Sequence, residues 1–197
     1  MKRPTTTLVV VASLLCLMGC SNDEPTADPP SESPTQVEFD QELSDELVQM
    51  GRQDQGLRNT AETADDTERI ARLKEIIAEH GWPTYDLVGK KGEDAAWLIA
   101  QHADLDPEFQ AEALELLRAA VEDDQASPGN LAYLEDRILA AKGEPQLYGT
   151  QTGCTRKGKP AQPEIEDPAN LDDRREAAGL PPYERYLQQM TRLCSQG

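Results

Sequence analysis

Chemistry in this chain would start from His102. Ala95, Leu98, Ile99 and His102 fall at i, i+3, i+4 and i+7, so a helix through them puts the imidazole on its apolar face. Asp104 follows just past the end of that helix. An imidazole oriented by a carboxylate is a general acid/base, because histidine changes charge near neutral pH. The plainer reading of a lone histidine on an apolar face is a core residue with its hydrogen bonds satisfied. His102, Asp104 and Asp106 also spell an H-x-D-x-D string, a donor set that a metal could use. Asp106 is better explained as a helix cap, only His80 could add a second imidazole, and nothing has zinc-finger or zincin spacing. No metal and no cofactor is therefore expected.

A second charge breaks a stripe upstream. Leu43, Leu47, Met50 and Leu57 recur at helical spacing, and Asp54 falls in the middle of their face. Arg58 lies one turn on, within side-chain reach. A buried carboxylate needs a partner. Three readings stand together: a structural Asp54–Arg58 pair that fixes packing, a helix broken at Gly51 or Gly56 with both charges in solvent, or a site that joins Asp54, Arg58 and His102. In the last, His102 is the base and Asp104 or Asp54 orients it. Arg58 and Arg137 then hold an anion, while Gln146, Tyr148 and Gln151 supply hydrogen bonds. Arg137 flanks the apolar stripe of its helix, whereas Asp136 points away from it and reads as a solvated acid. No nucleophile elbow, P-loop or dinucleotide fingerprint is present.

The elements that must position these residues are mostly helical. The first helix is the one through Leu43 and Leu57. A second is expected from Asp66 to His80, stopped by Gly81-Trp82-Pro83. A third covers Glu93 to Ala103. A fourth starts at Asp106 as cap with Pro107 in the first turn, and a fifth repeats the device with Ser127 and Pro128 and ends at Gly143. Gln146 to Thr152 then reads as a strand, with Ala161 to Glu166 returning as its partner across a Gly- and Lys-rich turn. Arg156, Lys157 and Lys159 in that turn read as a solvated loop tip. Two short helices, near Leu171–Ala178 and Pro182–Leu193, finish the chain. The fold class is mainly α, five to seven helices with a small β-hairpin in the C-terminal third.

The ends of the chain say where it resides. Lys2 and Arg3 precede an apolar run from Leu8 to Met18, which has the length of a signal-peptide core and is too short for a spanning helix. Leu17-Met18-Gly19-Cys20 resembles a bacterial lipobox. That resemblance implies a signal over residues 1–19 and a diacylglyceryl group on Cys20, with acyl chains such as palmitate. Several chains give stable anchoring where one does not. Ser21, not Asp, follows the cysteine, which in enterobacterial-type sorting favours the outer membrane. Residues 20–37 read as the lipidated cysteine and an acidic, Pro-rich tether with too little apolar surface to order itself. Residues 38–197 are left as a single domain.

Cleavage removes Lys2 and Arg3 and no acid, so the formal charge of −18 becomes −20. An acidic excess of that size argues against nucleic acid and against lying flat on anionic lipid. Membrane attachment through the lipid is the partner expected, together with a small ligand or an envelope protein. Cys16 leaves with the signal and Cys20 takes lipid, which leaves Cys154 and Cys194 either bridged or as two buried thiols.

Several short motifs lie together in this chain. They are Asp54-Gln55 with Arg58, Gly81-Trp82-Pro83, Gln101-His102-Ala103-Asp104, Leu134 with Asp136-Arg137, and Gln146-Leu147-Tyr148-Gly149-Thr150-Gln151. With Arg174-Arg175 and Gly179-Leu180 they resemble a widespread, mostly bacterial domain of unknown function, over about Asp54 to Tyr186. The resemblance implies that these polar residues belong together and brings no established reaction. The expected function is a lipid-anchored envelope protein whose domain binds a small polar or anionic ligand. The alternatives are a hydrolase or transferase using His102 with a carboxylate, and a structural or interaction lipoprotein without ligand chemistry.

Overall fold

The computed structural model describes residues 37–58 and 66–196. The expected signal segment, Cys20 and the tether up to residue 36 lie outside the described residues. Helices within them are α1 (Gln41–Arg58), α2 (Thr67–His80), α3 (Tyr85–Gln101), α4 (Pro107–Glu122), α5 (Pro128–Lys142), α6 (Leu171–Ala177) and α7 (Tyr183–Cys194), with a 3-10 turn at Pro168–Asn170 before α6. None is long and apolar enough to cross a membrane.

The centre is α3, which packs against α1, α2, α4 and α5. Its closest neighbour is α1, which buries Leu43, Leu47 and Met50 on the stripe expected from the sequence. Gly51 permits the close approach: a Cβ there would stand 3.0 Å from the Cβ of Ala95. The helix runs unbroken past both Gly51 and Gly56, so the broken-helix reading fails. Leu73, Ile76, Ile99, Leu117 and Leu134 complete the core. Each such side chain contributes about 1.5–3 kcal/mol on leaving water.

Helix ends follow the local signals. Asp106 accepts from the Phe109 amide at 3.1 Å and Ser127 from the Asn130 amide at 3.2 Å, each followed by proline at the first helical position. Gly143, left-handed at φ 72°, ends α5. The third helix differs from expectation. It begins at Tyr85, eight residues early, and bends at Gly89, where φ is 69°. The Val88 carbonyl beside that bend accepts the Ser44 hydroxyl of α1 at 2.7 Å.

The expected β-hairpin is absent from the described residues. Only isolated bridges form, Gln146 with Ile165 and Cys154 with Pro160. The cause is a buried acid. Asp136 takes the amides of Leu147, Tyr148 and Thr150, at 2.8, 3.1 and 2.8 Å, and the Thr150 hydroxyl at 2.9 Å. Donors that a strand would give to a ladder are drawn onto one carboxylate, so the segment wraps around it. Gly149 is required in that wrap, because φ is 69° and a Cβ would lie 2.7 Å from the Tyr183 ring.

The C-terminal helices hold the wrapped segment from outside. Arg174 donates to the Leu147 carbonyl at 2.9 Å. Arg175 is buried, donates to the Tyr148 and Pro181 carbonyls, and lies 5.6 and 5.0 Å from the ring centres of Tyr183 and Tyr186. Cys154 and Cys194 form a disulfide across 40 residues, with Cα atoms 5.4 Å apart. In the chain-entropy account a loop of that length contributes about 4 kcal/mol.

Candidate functional site

Asp54 and His102 meet where the last turns of α1 and α3 lie side by side. The Nδ1 atom of His102 is 3.0 and 2.9 Å from the two carboxylate oxygens of Asp54. Asp54 is 1% exposed and the imidazole 15%. The carboxylate also accepts from Gln55 Nε2 at 3.0 Å and from Arg58 Nε at 3.3 Å. Burial pushes the Asp54 carboxyl up, but the hydrogen bonds and charge of His102 and the donors Arg58 and Gln55 outweigh it. The group is held below its ordinary value.

That ionised state decides where the imidazole proton sits. Arg58 Nε lies 2.9 Å from Nδ1, close enough to donate to it. Were Nδ1 a bare acceptor, its lone pair would face an ionised carboxylate 2.9 Å away. A proton between them removes that repulsion, so Nδ1–H donates to Asp54 and the Arg58 Nε–H turns to the same carboxylate. In the neutral ring the lone pair is then on Nε2, which has no hydrogen-bond partner among the described residues. Of the two acids proposed to orient His102, Asp54 is the one in contact.

Charge continues outward from this pair. Arg58 Nη2 reaches Asp66, the residue before α2, at 2.7 Å, and Arg69 grips the same carboxylate from α2 at 2.6 Å. Arg58 is left with Nη1 unengaged among the described residues and a third of its side chain exposed, at 33%. Asp104 pairs with Arg137 of α5 through both oxygens, with Nε at 2.9 Å, and Gln110 donates to it from α4 at 3.4 Å. Burial raises the Asp104 carboxyl, while Arg137, Gln110 and the charge of His102 together lower it below the ordinary range. Arg137 Nη1 donates in turn to Gln151 at 3.3 Å.

The other expected hydrogen-bonding groups lie in the wrapped segment. The Gln146 amide clasps the backbone of Gln151, accepting from its nitrogen at 3.0 Å and donating to its carbonyl at 3.3 Å. The Gln151 amide nitrogen binds the Tyr133 carbonyl at 3.2 Å. Tyr148 gives its backbone to Asp136 and Arg175. The H-x-D-x-D string disperses as well: His102 faces Asp54, Asp104 faces Arg137, and Asp106 caps α4 and pairs with Lys74. Among the described residues no three His, Cys, Asp or Glu side chains are grouped to hold a metal.

Asp136 corrects the sequence reading, being buried with four hydrogen bonds and not solvated. Its helix buries Ala132, Leu134, Asp136 and Ile138 on more than one side, so a single apolar stripe misplaced it. Glu93 was missed too. It is fully buried in α3, accepts from Asn130 at 3.2 Å, and is pushed up to about 7 by burial and by the neighbouring Asp94.

No curated protein and no solved structure matches the chain. A family model does, over residues 31–194, which takes in every helix described above and both halves of the Asp54–His102 pair. The chain therefore belongs to a family of unknown function, DUF6624.

Proposed function

We propose that the Asp54–His102 pair is a general acid/base acting on a small polar substrate, in a domain held at the cell envelope by lipid on Cys20. The observation that carries the catalytic part is the 2.9 Å contact between Nδ1 and the buried Asp54 carboxylate. A purely structural histidine has no need of a carboxylate held ionised behind it and a second nitrogen without a partner among the described residues. Among the described residues no Ser, Thr or Cys side chain hydrogen-bonds to the ring, and water or a substrate hydroxyl serves as the nucleophile. Nε2 takes its proton as the new bond forms and returns it to the leaving group, and Asp54 faces the positive charge that the ring carries in between. Arg58 Nη1 remains to orient an oxygen of the substrate. Arg137 is already bidentate on Asp104, which narrows the anion-holding role expected of the two arginines to Arg58.

A screen of small polar metabolites and envelope fragments against the wild type, His102→Ala and Asp54→Asn tests this reading. Turnover lost in both variants, with each still folded and binding the hit, is the expected result. Turnover unchanged in His102→Ala contradicts it. Binding without turnover in the wild type favours the second reading, a ligand-binding domain without chemistry. The anchoring part is tested separately: Cys20→Ser should leave the membrane fraction and lose lipid labelling, and retention through high-salt and carbonate washes would refute it.

A further inference from the structure

The two helices that carry the pair also enclose a groove that the acid/base reading does not use. It has a volume of about 910 Å³, within the range of about 300–1,000 Å³ common for ligand clefts, and opens to solvent between α1 and α3. Its apolar surface comes from Val48, Ala95, Trp97 and Leu98. Glycine keeps it open. Gly56 lines the groove from α1, and a Cβ built there meets nothing within 4 Å. Gln55 also lines it, and its amide nitrogen is the one that donates to Asp54 at 3.0 Å. Leu98 stands one helical turn before His102. The groove therefore leads to the acid/base pair.

Its rim carries a selective charge. Arg52 and Lys91 both line the groove, and neither has an ion-pair or hydrogen-bond partner among the described residues. The one acid in the lining, Asp94, accepts from Asn130 at 2.8 Å. In a chain with 37 acidic and 19 basic residues, two unpaired cations over an apolar trough favour a ligand of opposite charge.

We propose that this groove binds the apolar body of an amphipathic carboxylate, whose anionic group lies at Arg52 and Lys91 and whose reacting end reaches His102. The inference rests on the acid/base reading for the last clause and on the groove alone for the rest.

Octanoate, octanol and octylammonium are suitable probes, with the exported Cys20→Ser chain so that no attached lipid competes. Trp97 fluorescence and amide shifts along α1 and α3 report binding. Octanoate should bind about tenfold more tightly than octylammonium, since like charges at a rim are rejected as opposite ones are held. Arg52→Gln with Lys91→Gln should cost octanoate about fivefold and leave octanol within about twofold, the size expected of two exposed pairs. Gly56→Leu should abolish binding of octanoate and octanol alike while raising the Tm, because it fills the trough and replaces a glycine within a helix. Octanoate that binds no better than octylammonium, or equally well to Gly56→Leu, overturns the inference. Loss of octanoate binding with His102-dependent turnover intact would sink the groove and spare the acid/base reading. Octanoate binding with His102 inert towards every substrate would do the reverse.

Discussion

Asp54 and Asp136 are both carboxylates out of reach of water, 1% and 0% exposed, yet they are held in opposite ways. Asp136 is surrounded by fixed donors, three backbone amides and a threonine hydroxyl, all from one short segment. It folds that segment. Asp54 is surrounded by side chains, an imidazole, a guanidinium and a carboxamide. The donors around Asp136 all end on its carboxylate. Behind Asp54 the imidazole has a second nitrogen, Nε2, with no hydrogen-bond partner among the described residues. On the proposed acid/base reading, the contrast separates a carboxylate that builds the fold from one that prepares a group for chemistry.

If the contrast is right, Asp136→Ala is the most damaging change. It strands several donors in the interior and should cost about 4 kcal/mol by denaturant unfolding, with loss of protection in the amides of residues 147–150. Asp54→Asn should cost far less, because Arg58 keeps Asp66 and a third of its side chain in water. A comparable loss in both would erase the distinction and make Asp54 structural.

Glu93 sharpens the comparison from a third side, as a buried carboxyl with little to hold its charge. Its folded value of about 7 lies above the ordinary 4.5, so the folded state binds this proton more tightly than the unfolded one. The stability it supports is complete below 4.5 and is lost as pH rises from there through 7, a change on the order of 3 kcal/mol. Glu93→Gln should remove that slope and leave the protein more stable than the wild type at pH 8. Urea midpoints for both proteins across that range decide it, and parallel curves would contradict it.

Asp54 has the opposite sign. Its lowered value means that its contribution is present at neutral pH and is lost only below the ordinary carboxylate range. Asp54→Asn should cost about 1.5 kcal/mol at pH 7, and the difference from wild type should shrink in acid. The smallest effect is expected from His102→Ala. Asp54 keeps Arg58 and Gln55 when the ring is lost, so the cost should be about 1 kcal/mol.

The same contrast explains what could be read in the sequence. Asp54 stands out because α1 has a single buried face, where a polar residue is conspicuous, and His102 because it follows Ala95, Leu98 and Ile99 at helical spacing. Caps at Asp106 and Ser127 were legible because the residues concerned are neighbours in sequence. Asp136 was not, since its helix is buried on more than one side and its partners lie 11 to 14 residues away. Reading Gln146–Thr152 as a strand followed from the same blindness: β propensity is local, while the carboxylate that captures the amides is not. Glu93 escaped notice because α3 is central and buries residues all round. The pairing of Cys154 with Cys194 was left open by spacing alone, and the structure closes it.

The central claim is that Asp54 holds the His102 proton on Nδ1 and so frees Nε2. Nitrogen-15 NMR of the imidazole rings tests it directly, since the chain has two histidines and His80 serves as the reference. In the neutral protein the His102 ring should carry its proton on Nδ1, and Asp54→Leu should return it to Nε2. A wild-type ring protonated on Nε2, with Nδ1 accepting from Arg58, would contradict the account.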